Sequence, residues 1–313
     1  MKPPVVSVIT PAYNARPYIA RAVRSVLAQT FPDWELIVVD DRSTDGTYAY
    51  LQESFGEHPR VRLYRNEANR GPSFSRNFAF GEARGKWAAL LDADDWWHPE
   101  RLGRLLAEAD AKKADAVADN LAYVLGEEST PYTTLCAIEG VPPIPRWLDP
   151  VFFIRHGEFG VVKPLLRLEF IRAKGLAYDE RVRYGEDFLF YFRLLQAGAR
   201  FYFLPQTYYY YRKHSGALTL DEVKLNEAVL QVVEELLHES GVRALGAEVV
   251  AALEARRRLA RKNITYYRVV APLKNGRYVE AAAQLLLHPQ AVPVLVQRLP
   301  RLLGVWRRRR GRP

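Results

Sequence analysis

At 313 residues the chain is long enough to bury a full α/β core and still carry a helical extension. Its lone cysteine, Cys136, excludes an intrachain disulfide framework or a cysteine-based zinc site and fits a reducing cytoplasm. The formal charge of +9 is largely a tail: residues 281–313 hold seven arginines and no acid, leaving +2 for the rest, and no apolar stretch matches a signal peptide or a membrane-spanning helix.

Val5 to Thr10 is a nearly continuous apolar run, the pattern of a strand buried on both faces. From Pro17 to Ala28, Ile19, Val23, Val26 and Leu27 recur near helical spacing, and Phe31-Pro32-Asp33 closes the segment. Trp34 to Val39 predicts a second buried strand ending in Asp40-Asp41, with Ser43 or Thr44 placed to cap the next helix. The alternation continues with Val61 to Tyr64 as strand, Ser73 to Glu82 as helix and Lys86 to Leu91 as strand. Repeated βα units predict a parallel sheet covered by helices, with ligands outside the carboxyl ends of the strands, where Thr10, Asp40, Asp41 and Asp92 fall.

The run Leu90 to Trp97 sets Asp92 and Asp94 one residue apart just after a strand. Carboxylates so placed can hold Mg²⁺ or Mn²⁺, which neutralises a diphosphate, the chemistry of a nucleotide-sugar site. A solvated acidic turn has the same local pattern; convergence with Asp41 at one sheet edge favours the site.

Farther on, Asp115 to Asn120 reads as the last strand of a nucleotide-binding half, and Gly126 to Pro150 as a Pro-, Thr- and Gly-rich loop on the acceptor side. Glu186-Asp187 opens a helix that includes Phe188, Leu189, Tyr191 and Phe192, where carboxylates also complement free backbone donors and the helix dipole. An aromatic strand, Thr207 to Tyr211, leads to Arg212, Lys213 and His214; the histidine is a candidate third metal ligand and its basic neighbours candidate phosphate contacts. Helical patterning follows Asp221, with breaks near Ser240-Gly241, Pro272 to Gly276 and His288-Pro289. In the tail Leu295, Leu299, Leu302, Leu303 and Trp306 share one helical face ahead of four arginines, 307–310. That combination suits an anionic membrane surface, with a packing helix and solvated basic end as the alternative. No nucleic-acid module is expected.

The stretches Val5 to Asn14, Val38 to Asp45, Asn69-Arg70-Gly71 and Leu91 to Trp97 together resemble family 2 glycosyltransferases of the GT-A fold. More loosely, Lys163-Pro164, Tyr184 to Asp187 and Tyr211 to Gly216 are similar to bacterial exopolysaccharide members of the succinoglycan type. The resemblance implies an α/β GT-A domain over residues 1–220, with a nucleotide half at 1–120 and an acceptor half at 121–220, followed by a helical region at 221–313. It implies an inverting, metal-dependent transfer from a UDP-linked sugar to a glycan or polyprenyl-linked acceptor, at the cytoplasmic face of the membrane. Thr10, Pro11 and Tyr13 would line the nucleotide pocket, Asp41 would accept from uracil N3–H, and Arg70 would touch base or diphosphate. Asp92, Asp94 and His214 would serve Mn²⁺ or Mg²⁺, and Asp187 would be the general base. A nucleotidyltransferase is disfavoured because Thr10 to Arg16 contains no glycine for a phosphate loop; a non-catalytic sugar- or membrane-binding module on the same fold stays open.

Overall fold

A computed structural model describes residues 3–296 apart from 129, 215–221, 275, 290 and 294. The chain divides into two compact units, Met1–Ala217 and Leu218–Pro313.

The first unit opens with β1 (Val6–Ala12), α1 (Ile19–Leu27), β2 (Trp34–Asp40), α2 (Thr47–Phe55), β3 (Val61–Arg65), α3 (Pro72–Glu82) and β4 (Trp87–Leu90). All four strands run parallel in the spatial order β3-β2-β1-β4. The chain therefore moves outward from β1 through β2 to β3, then returns to the other side of β1 as β4. That reversal opens a crevice at the carboxyl ends of β1 and β4, where the loops on either side diverge. Strands β1, β2 and β4 are buried almost throughout, as their unbroken apolar runs require.

Beyond β4 the sheet becomes mixed. β5 (Trp96–Trp97), α4 (Arg101–Lys112), β6 (Ala116–Leu125), β7 (Thr133–Thr134), α5 (Leu135–Glu139), β8 (Arg146–Leu148) and α6 (Pro150–Arg155) are followed by a 3-10 turn, Gly157–Val161. Then come β9 (Leu165–Arg167), α7 (Leu168–Ala173), α8 (Glu186–Gln196) and β10 (Phe201–Lys213). β9 lies antiparallel between β4 and β6, β6 pairs parallel with β10, and β5 pairs antiparallel with Tyr209 and Tyr210 of β10. The last pairing draws the Asp-rich loop onto the end of β10.

Local corrections to the sequence reading have simple causes. The strand expected at Asp115 to Asn120 continues to Leu125 because β10 supplies a partner along the whole length. The segment expected as a loop, Gly126 to Pro150, contains β7, which turns back onto the end of β6, the short helix α5, and β8, whose partner β10 is distant in sequence. Neither Ser43 nor Thr44 caps α2: the cap is Gly46 in the left-handed region (φ +84°), and the Asp45 carboxylate accepts from Thr47 N–H at 3.0 Å. Ser43 instead accepts from Asn14 N–H, tying the β1 and β2 loops together.

The second unit contains α9 (Glu222–His238), α10 (Ser240–Arg243), α11 (Ala247–Lys274) and α12 (Tyr278–Leu287). Breaks fall near the expected places, with two differences: Ser240-Gly241 opens α10 after a break at Glu239, and Pro272 lies inside α11, which ends at Lys274 ahead of Gly276. The expected amphipathic tail from Leu299 onward lies outside the described residues.

Within the first unit, Arg101 of α4 and Asp119 of β6 are wholly buried and paired at 2.8 Å, and Arg101 also donates to the Lys163 carbonyl. Asp119 accepts from Tyr208 N–H at 3.1 Å. This pair joins α4, β6, β10 and the Lys163 segment. Asp119→Ala strands a buried guanidinium and is expected to destabilise the unit by about 3–5 kcal/mol; chemical denaturation against wild type reads the change, and a loss under about 1 kcal/mol contradicts it.

Candidate active site

At the end of β2, Asp41 accepts from Asn66 Nδ2 at 2.7 Å and from the backbone N–H groups of Arg70 at 2.8 Å and Gly71 at 2.7 Å. Gly71 makes its contact at φ +90°, a conformation that favours glycine. A carboxylate has about four acceptor positions, so Asp41 is held rigidly with one position left for a ligand donor. Thr10, buried within β1, has no hydrogen-bond partner at Oγ1 among the described residues. Pro11 is beside it, and Tyr13 emerges half exposed from the same strand end. Arg70 serves Asp41 through its backbone N–H, while its half-exposed guanidinium pairs with Glu180 at 3.2 Å and lies 3.6 Å from the Phe74 ring centroid.

The Asp-rich loop divides into three carboxylates with different surroundings, although one oxygen of each lies within 4.8 Å of the others. Asp92 is bound by Arg76 at 3.0 Å and by Lys163 at 2.8 Å. Burial opposes its ionisation, but the Lys163 and Arg76 charges outweigh it and hold the carboxyl at about 2. Asp95 accepts from Tyr209 O–H at 2.7 Å and Arg212 N–H at 2.8 Å; burial, then the charges of Asp94 and Asp92, pushes its carboxyl well above the ordinary range. Asp94 is about one-third exposed and meets His214 Nε2 at 2.9 Å. The other ring nitrogen of His214 lies 3.2 Å from the Tyr18 hydroxyl. Asp94 and His214 thus offer a carboxylate and an imidazole to one point, with Tyr18 orienting the ring, a donor set that fits a divalent cation.

Arg212 does not reach outward as a phosphate clamp. Its Nε donates to the Asp94 carbonyl at 2.7 Å, it pairs with Glu127, and its guanidinium stacks near Tyr18 and Trp96. It braces the loop that presents Asp94. Lys213 lies over the rings of Tyr123 and Tyr211. Ser215 and Gly216 lie outside the described residues.

On the opposite wall, Glu186 and Asp187 begin α8 after Gly185. Asp187 is buried and accepts from Lys163 at 2.5 Å and from Tyr178 O–H at 3.0 Å. Glu186 pairs with Arg76 at 3.1 Å. Two buried cations therefore hold three carboxylates from two chain segments, with Lys163 bridging Asp92 and Asp187 directly. Burial and then Asp187 raise the Tyr178 hydroxyl well above its usual range, so it remains a donor to that carboxylate.

Lys163, Arg76, Tyr178 and Tyr18 acquire their roles only in three dimensions. Lys163 belonged to the looser resemblance without a role, and Arg76 in Ser73 to Glu82 reads by itself as a surface residue of an amphipathic helix.

Topology and site together define a GT-A fold, a mostly parallel α/β sheet with carboxylates gathered at the ends of its strands. Residues 7–164 match the family described as Glycosyl transferase family 2, and the chain belongs to glycosyltransferase family 2. It is 33% identical over 309 residues to the succinoglycan biosynthesis protein ExoU of Rhizobium meliloti, spanning 94% of this chain and 86% of that protein. It is 36% identical over 222 residues to ExoO of the same organism, spanning 70% of this chain and 63% of ExoO. Among solved structures, S. aureus TarS 1-349 in complex with UDP-GlcNAc has a similar fold, with a TM-score of 0.66 at 19% identity over 91% of each chain. The mannosyltransferase PcManGT of Pyrobaculum calidifontis, in complex with GDP-Man and Mn²⁺, gives 0.62 at 21% identity over 97% of this chain and 81% of that one.

The depressed Asp92 carboxyl contributes stability that is fully present above about pH 4 and is lost as the pH falls toward 2. Lys163→Met removes one of its two cations, so the Asp92 midpoint should rise toward the ordinary aspartate value and this contribution should shrink. Carboxyl NMR titration of both proteins measures the shift; an unchanged midpoint contradicts Lys163 as the residue that holds Asp92 ionised.

Proposed function

We propose that the protein is an inverting, metal-dependent glycosyltransferase that moves a hexose from a UDP-linked donor to a glycan or polyprenyl-linked acceptor during exopolysaccharide synthesis. The observation carrying this reading is the placement of Asp187 beside Asp92 across Lys163, on the far side of the same crevice from the Asp94–His214 pair. The succinoglycan relatives support the polysaccharide context, and the nucleotide sugars bound by TarS and PcManGT support the donor class.

In this reading Tyr13 stacks on the base, Thr10 and Pro11 line its pocket, and Asp41 accepts from uracil N3–H with its remaining lone pair. Asp94 and His214 would hold Mn²⁺ or Mg²⁺, and a bound ion would neutralise charge on the leaving diphosphate. Asp92 is fixed by Arg76 and Lys163 at the same loop and would contact the donor. Asp187 takes the acceptor hydroxyl proton as the oxygen attacks the anomeric carbon opposite the departing diphosphate, and one displacement inverts the centre. Tyr178 and Lys163 hold both Asp187 oxygens so that the base has one orientation. The enzyme works at the cytoplasmic membrane face as a peripheral protein, drawn to anionic lipid by its basic tail. No described helix is long and apolar enough to cross a membrane.

Asp94→Ala is expected to abolish Mn²⁺-dependent UDP release from a nucleotide-sugar panel while leaving the fold intact, since a partly exposed carboxylate contributes little to the core. Near-normal metal-dependent turnover in that variant contradicts the assignment. Asp187→Asn should keep UDP binding and lose transfer by about a hundredfold or more. Single-turnover transfer assayed beside UDP calorimetry separates the two effects; normal transfer would leave Asp187 a structural partner of Lys163 and Tyr178 only.

A further inference from the structure

Helix α12 presents an apolar surface that the enzyme's chemistry does not use. At helical spacing, Tyr278, Val279, Ala282, Ala283, Leu286 and Leu287 cover about half its circumference. All six are exposed, Val279 at 86%, Leu286 at 84% and Leu287 at 70%. Ala281, on the opposite side, is buried where α12 packs against α11. The chain after α12 continues the trend: Ala291 is buried and Leu295 packs on Tyr266 and Val270 of α11, while Val292 and Val296 remain exposed. The unit is thus folded, with its apolar face outward. Glu280 borders the face and is paired with Arg277 at 3.0 Å. After Glu280 no acidic residue occurs, and the following 33 residues carry seven arginines.

We infer that the α12 face is a membrane-insertion surface, with its apolar residues entering the acyl boundary of an anionic leaflet and the downstream arginines meeting lipid phosphates. Charge complementarity selects the lipid surface over a second copy of the chain, because self-association would bring two strongly cationic tails together, whereas an anionic leaflet neutralises them. A half-apolar helix with a neighbouring arginine-rich segment joins hydrophobic insertion to electrostatic attraction, the two signals that stable peripheral binding needs. The inference deepens the proposed membrane seat of the enzyme by assigning a folded helix, rather than the terminal tail alone, as the part that enters the lipid.

The test uses the full chain, a Val279→Ser/Leu286→Ser/Leu287→Ser variant, a Leu286→Gln variant and a chain lacking residues 298–313. Each is sedimented with phosphatidylglycerol–phosphatidylcholine vesicles and with pure phosphatidylcholine vesicles, with UDP release and sedimentation-velocity mass measured in parallel. The triple variant should bind mixed vesicles at least about tenfold more weakly while retaining the basic tail, and Leu286→Gln should show a smaller loss in the same direction. Removing 298–313 should abolish the preference for anionic lipid and the sensitivity to salt. UDP release should be unchanged by the α12 substitutions, so loss of the transferase reading would appear separately. Wild-type vesicle binding by both α12 variants overturns the inference and leaves the tail as the sole anchor. So does absence of binding by the full chain, or a fall from dimer to monomer mass in the triple variant with vesicle binding intact, which would give the face to a second copy.

Discussion

The site depends on a problem of charge: Asp92, Glu186 and Asp187 approach one another in a largely buried pocket where like charges repel. Arg76 and Lys163 pair with all three. Arg76 contacts both loops, and the Lys163 ammonium touches Asp92 and Asp187 within 2.8 and 2.5 Å. Removing either cation would take an ion-pair partner from the donor-side and acceptor-side carboxylates together. The proposed base is therefore structurally linked to the Asp-rich loop even though Asp187 lies 95 positions beyond Asp92 in the chain.

The sheet explains why these groups meet. The reversal of strand order at β1 brings the loops after β1, β2 and β4 to one crevice, while the short β5–β10 pairing brings His214 to Asp94. Arg101 and Asp119 then fix the Lys163 carbonyl from below. A few buried polar pairs thus set the positions of side chains whose own loops carry little regular structure. Such pairs are costly to break singly, which gives the carboxyl edge its definition.

Much of this arrangement was legible in the chain. The βα alternation through Leu91 and the carboxylates following β2 and β4 follow from apolar runs whose burial patterns are unambiguous, and the helix breaks after Asp221 follow from glycine and proline. The mixed half of the sheet was not legible because β7, β8 and β9 are two or three residues long, and β8 and β9 owe their existence to distant partners. Asp41, Asp92, Asp94 and His214 could be singled out by type and position, and Asp187 through the family resemblance. Their division of labour could not, since it rests on Arg76, Lys163, Tyr178 and Tyr18, which carry no local signature. Arg70 adds a contact that no local pattern announces: beside its ion pair with Glu180, its backbone N–H fixes Asp41.

The central claim is that the acidic loop is functionally divided, with Asp94 left to the cation because Asp92 is committed to Arg76 and Lys163. Electron paramagnetic resonance of Mn²⁺ in the presence of UDP tests that division directly, by comparing free-ion depletion in wild type, Asp92→Asn and Asp94→Asn. The account predicts that wild type and Asp92→Asn sequester the ion and that Asp94→Asn does not. Retained sequestration by Asp94→Asn together with its loss in Asp92→Asn would contradict it.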